Sequence, residues 1–146
     1  MAASRNKRST DDIPQATSAC LTRHVGQNQS VVVGLSGGLD STVLLHAASR
    51  LAGDLGFRLF SLHVNHGLSP NADSWASSCA RLCEDLGVPF EVARVDVPRD
   101  TGEGLESAAR RLRHQALLEH QADWILLAHH ADDQAETVLH NLLRGA

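Results

Sequence analysis

Six consecutive residues, Ser36-Gly37-Gly38-Leu39-Asp40-Ser41, carry the strongest chemical signal in the chain. Adjacent glycines let a backbone approach a ligand closely and turn successive N–H groups inward, making a nest for an anion. A helix starting at that point adds its positive end. The hydroxyls of Ser36 and Ser41 suit phosphate oxygens. Asp40 is the informative member. A carboxylate in a phosphate nest repels its ligand unless a cation lies between them, and Mg2+, a hard ion that takes oxygen ligands, suits that place. The plain alternative is a strand-to-helix turn in which Asp40 only caps the helix.

A second cluster is His129-His130-Ala131-Asp132-Asp133-Gln134-Ala135-Glu136-Thr137. On a helix, Asp133 and Glu136 are three apart and share a face. With Asp40 they would form a three-carboxylate cradle for Mg2+ bridging phosphates. The bland readings are a solvated acidic face for this pair and a helix-dipole role for Asp132. A third stretch, Glu106 to Arg113 (ESAARRLR), places Glu106 and Arg110 four apart, while Arg110 and Arg113 share a face. These arginines are either a solvated, ion-paired surface or a positive rim where planar guanidinium groups meet phosphate. Histidines also gather in pairs, His63 with His66 and His129 with His130. Zinc is one use for them. However, adjacent residues leaving a strand point to opposite sides, and nearby carboxylates suit a harder ion. Hydrogen-bonding roles around a ligand are therefore expected for His63 and His129.

Composition narrows the partners. The 146 residues are 42% hydrophobic and 21% charged, which suits one globular domain with a real core. A formal charge of −4 excludes holding nucleic acid by overall charge but permits a local basic patch. Aromatic residues make up 3%, with no Tyr, which argues against an aromatic stacking platform for single-stranded nucleic acid. Of the thirteen basic residues only Lys7 is a lysine, and it lies in a polar run without glycines. A Walker-type phosphate loop needs a lysine beside its second glycine, so that chemistry is excluded. Three sparse cysteines, Cys20, Cys79 and Cys83, argue against a disulfide framework and for a reducing compartment. No apolar run has membrane-spanning length, and the expected location is the cytoplasm.

The elements that must position these residues alternate. A weak helical pattern over 14–25 spaces Ala16, Cys20 and His24 by four. Strands are expected at 31–35, 57–64, 89–97 and 123–128, and helices at 40–52, 71–86, 105–120 and 131–143. Trp75, Cys79, Leu82 and Leu86 form the predicted inward face of the second of these helices. Strict β-α alternation predicts an α/β fold, a parallel Rossmann-like sheet of four strands, plausibly five in a whole protein, with helices on both faces. Ligands of such sheets bind beyond the carboxyl ends of the strands, and every cluster above sits at such an end.

SGGLDS after an apolar strand resembles the PP-loop of the ATP pyrophosphatases (the adenine nucleotide alpha hydrolase-like fold), which cleave ATP to AMP and pyrophosphate. Together, SGGLDS, HVNHGL, ESAARRLR and HHADDQAET resemble the tRNA(Ile)-lysidine synthetases, a PP-loop family of tRNA-modifying ligases. That resemblance spans about 31–145. It implies ATP and Mg2+ as cofactors and an isoleucine tRNA and free lysine as substrates. It also implies that Ser36, Gly37, Gly38, Leu39, Asp40, Ser41 and His63 bind the nucleotide. Asp40, Asp133 and Glu136 would bind metal, and His129 and Arg110 would join these three in catalysis. The polar residues and weak helical pattern before that span are read as an N-terminal extension over 1–25 that can hold a short helix, ahead of a PP-loop catalytic domain over 26–146, read as the catalytic part of a longer protein. The rivals are another PP-loop enzyme, such as a tRNA thiolase or an amidotransferase-type synthetase, and an ATP-binding module without catalysis.

Overall fold

The structure, a computed structural model, describes residues 12–100, 102–131 and 134–141, those from 129 onward by their backbone alone. The elements are α1 (Asp12–His24), β1 (Ser30–Gly34), α2 (Leu39–Leu55), β2 (Arg58–Asn65), α3 (Ala72–Leu86), β3 (Phe90–Arg94), α4 (Leu105–Glu119), β4 (Trp124–Ala131) and β5 (Gln134–Asn141). They form one sheet in the order β3-β2-β1-β4-β5. β3, β2, β1 and β4 run parallel, as the alternation predicts, and β5 runs antiparallel on β4.

The order follows from right-handed crossovers. Steps from β1 to β2 and β2 to β3 move one way, so α2 and α3 cover one face; the step from β3 to β4 reverses and puts α4 on the other. Side-chain alternation along β1 serves both. Val31 and Val33 join Leu21, Leu44, Leu45, Cys79, Cys83 and Leu126 in one buried cluster. Val32 joins Leu62, Val64, Leu117, Ile125 and Leu127 in the other. A strand buried on both faces reads as a continuous β-branched run, which is why VVV was legible. The direction reverses between β1 and β4, and that is where a ligand crevice opens.

Asp123 ties these two strands at their starts. Its Oδ2 accepts from Ser30 N at 2.8 Å and from Ser30 Oγ at 3.1 Å, and its own N–H donates to Ser30 Oγ at 2.9 Å. Asp123→Ala leaves the buried Ser30 N–H without its acceptor, so it is expected to lower stability by about 2 kcal/mol in urea unfolding. A change below the error of that measurement would remove the clamp from the account.

Four details differ from expectation. α1 buries Ile13, Thr17 and Leu21, one residue along from the predicted face. Thr17 is tolerated inside because its hydroxyl donates to Ile13 O at 2.7 Å. α2 passes Gly53 and ends at Leu55, where Gly56 takes the left-handed φ of 74° that closes a helix cheaply. Trp75 is not inward. It is 43% exposed, because the buried stripe of α3 is Ala72, Ala76, Cys79 and Cys83. Finally, the helix expected over 131–143 is replaced by β5, so the parallel sheet gains an antiparallel edge. Ala135, Val138 and Leu139 have helical spacing, but Thr137 and Val138 are β-branched, and pairing along the whole of β4 satisfies that strand's open backbone edge.

Candidate nucleotide site

The loop after β1 is built from its own short side chains. Leu35 N donates to Leu62 O at 2.9 Å, continuing the β1–β2 ladder. Gly37 then takes φ +90°, a conformation a side-chain-bearing residue adopts only with strain. Gly38 N donates to Ser36 Oγ at 3.2 Å, and Gly38 O accepts from Ser41 Oγ at 3.1 Å and Thr42 Oγ1 at 2.9 Å. Ser36 N donates to Ser41 Oγ at 3.1 Å, and the two serine oxygens are 3.0 Å apart. With Ser41's single proton on Gly38 O, Ser36 is the donor between the hydroxyls. Buried Ser41 thus braces the turn, while Ser36 stays exposed at its surface.

Gly38 is the N-cap of α2, with no side-chain cap, and Asp40 lies in the first helical turn. Asp40 is therefore not the cap residue of the plain alternative. The first-turn N–H groups of a helix lie beyond the reach of i−4 carbonyls and point, with its dipole, out of the N-terminal end.

Beside the loop opens a cleft of about 290 Å3. Ser36, His63, His66, Trp75, Arg110 and Arg113 are among its lining residues, and among the described residues no Asp or Glu lines it. His63 is buried, and its Nδ1 donates to Leu35 O at 2.7 Å, which fixes the ring against the root of the loop. Arg113 is half-buried; burial first, and then the neighbouring Arg110, lower its affinity for its proton. His66 is shifted down by burial, by Arg113 and by His63, which keeps it neutral at pH 7. Arg110 and Arg113 crowded into one cleft suit an anion.

The residues expected from sequence divide accordingly. Ser36, Gly37, Gly38, Leu39, Asp40 and Ser41 form one turn, and His63 and Arg110 reach the adjoining cleft. His129 and Glu136 are register partners on β4 and β5, near the carboxyl end of β4. Asp133 lies outside the described residues, as do the side chains of His129 and Glu136. The predicted i, i+3 helical pairing of Asp133 with Glu136 is absent, since Glu136 is on a strand. Asn65 was missed. It accepts from Gly67 N at 2.9 Å and donates to Asp73 at 3.0 Å, shaping the loop after β2; an Asn before a glycine is the signal for such a turn. Cys79 and Cys83 lie buried beneath this region. Burial pushes the Cys79 thiol up to about 11 and raises that of Cys83.

A lysine-free glycine turn at the switch point of a doubly covered sheet, opening on a cationic cleft, is the architecture of a nucleotide-binding α/β domain. The model of the PP-loop domain family, one of ATP-binding domains, matches residues 10–146. The chain belongs to that family. It is 52% identical over 122 residues, 84% of its length, to a tRNA(Ile)-lysidine synthase of Azoarcus sp., and 48% identical over 138 residues to one of Alkalilimnicola ehrlichii. It covers 27% and 31% of those relatives, so it spans between a quarter and a third of their length. Among solved structures, the U34-tRNA thiolase NcsA of Methanococcus maripaludis superposes with a TM-score of 0.67 at 21% identity, over 84% of this chain and 45% of that one. That likeness is one of fold.

Proposed function

We propose that this chain is the catalytic PP-loop domain of a cytoplasmic tRNA(Ile)-lysidine-forming ligase. The observation that carries the reading is the self-braced SGGLDS turn opening on a cationic cleft, in a chain about half identical to proteins of that name. ATP places its phosphates on the loop amides and the first turn of α2. The C2 carbonyl oxygen of a wobble cytidine attacks the α-phosphorus, the bond to the β-phosphate breaks, and pyrophosphate leaves. The amine of free lysine then attacks C2, the C2–O bond breaks, and AMP departs with that oxygen as the amine loses its proton. The protein's part is alignment and charge neutralisation. Arg110 and Arg113 meet the negative charge that builds on the phosphoryl group, and His63 and His129 hydrogen-bond around the nucleotide.

Mg2+ fits the donors present. Among the described residues no three His, Cys, Asp or Glu side chains gather to hold a metal by themselves. Asp40, Asp133 and Glu136 would hold it, carboxylates being hard oxygen ligands for a hard ion. Its chemistry there would be neutralisation of phosphate charge. Thiolation is the weaker reading, because such chemistry runs on thiolates and burial holds Cys79 and Cys83 protonated. Mass spectrometry of nucleosides from tRNA treated with the full-length protein, ATP and lysine tests the assignment. It should find lysine joined to cytidine with loss of water. Incorporation of sulfur or ammonia in its place would refute it.

A further inference from the structure

Trp75 stands where the fold makes little use of it. Its flank of α3 also carries Leu82 and Leu86, which pack on the core, yet Trp75 is 43% exposed. The chain's other tryptophan, Trp124, donates its Nε1–H to Gln29 Oε1 at 2.8 Å and lies against the ring of His24. The Trp75 indole N–H has no such partner among the described residues. Its position is specific: a Cβ at Gly37 would lie 3.5 Å from Trp75 Cβ, so the indole springs from beside the phosphate turn, and it lines the same cleft as Arg110 and Arg113. One cleft thus offers cations and amides for phosphate together with a large flat ring. Aromatic rings recognise bases through their π-faces, whatever the base.

Resting on the nucleotide-binding reading above, we infer that Trp75 is the stacking platform for a nucleobase held in this cleft. The ligand chemistry is a planar heteroaromatic ring, supplied either by ATP or by the acceptor cytidine. The test is a titration of full-length protein with ATP, CMP and inorganic triphosphate, read by tryptophan fluorescence as the difference between wild type and Trp75→Phe, with calorimetry on the same samples. A saturable quench from ATP but not from triphosphate assigns the platform to adenine; a quench from CMP alone assigns it to the acceptor. Trp75→Ala should weaken the quenching nucleotide about tenfold, within the range of one base-on-aromatic contact, and Trp75→Phe should restore most of that. Triphosphate binding should be unchanged in both variants. Calorimetric binding of ATP with no Trp75-dependent signal from either nucleotide would overturn the platform and leave the nucleotide site standing. So would equal weakening of ATP and triphosphate, which marks a structural role. Failure of wild type to bind ATP would overturn both.

Discussion

Asp40→Ala is expected to cut pyrophosphate release from ATP by roughly 10²- to 10³-fold, the scale of removing one preorganised electrostatic partner of a transition state. The reasoning starts from position. Asp40 is in the first turn of α2 and is not its cap, so it stands at the helix end that adjoins the glycine turn. With phosphates bound, a carboxylate there is tolerable only if a divalent cation is shared between them. Asp40→Asn separates the two contributions: the shape is kept and the charge removed, so it should behave nearly as the alanine variant does. Stability should change little in either. Near-normal pyrophosphate release by the asparagine variant would take Asp40 out of the chemistry.

The second large effect has opposite signs on stability and on binding. Arg113→Met is expected to raise the melting temperature while weakening ATP binding about 10- to 100-fold, the worth of one or more charge-assisted hydrogen bonds. In the free protein Arg113 is desolvated and faces Arg110, with no ion-pair partner among the described residues. A methionine of similar reach keeps the packing and removes that cost. His66 offers a third readout. Arg113 is one cause of its lowered pKa, so in Arg113→Met the imidazole should titrate at higher pH. It should still remain below its ordinary value, since burial is the larger cause. A lower melting temperature with unchanged ATP affinity would mean that the cationic cleft is structural.

Much of this was legible in the sequence, for definable reasons. Val31 to Val33 is β-branched and buried on both faces, so it announces a central parallel strand whichever helices cover it. The turn at 36–41 is legible because its chemistry is local: the hydrogen bonds that shape it join residues at most five apart. What escaped is set by contacts distant in sequence. The weakly amphipathic α1 allowed two faces a residue apart, and the α2 packing it borders selected Ile13 and Leu21. The segment after β4 spaces its apolar residues as a helix does, and pairing with β4 overrode that spacing. Trp75 reads as a core residue by spacing. It stays at the surface because the buried stripe of α3 runs through Ala72, Ala76, Cys79 and Cys83. The crowding of Arg110, Arg113, His63 and His66 likewise needs β2 and α4 brought together, which no single stretch of sequence declares.

The most direct measurement of the central claim is product analysis of ATP turnover by the full-length protein, with and without tRNA and lysine. The account predicts AMP and pyrophosphate in equal amounts, formed only when tRNA and lysine are both present for turnover, and suppressed by Asp40→Ala. Release of ADP and orthophosphate, or AMP formation indifferent to lysine and driven by ammonia or a sulfur donor, would contradict it.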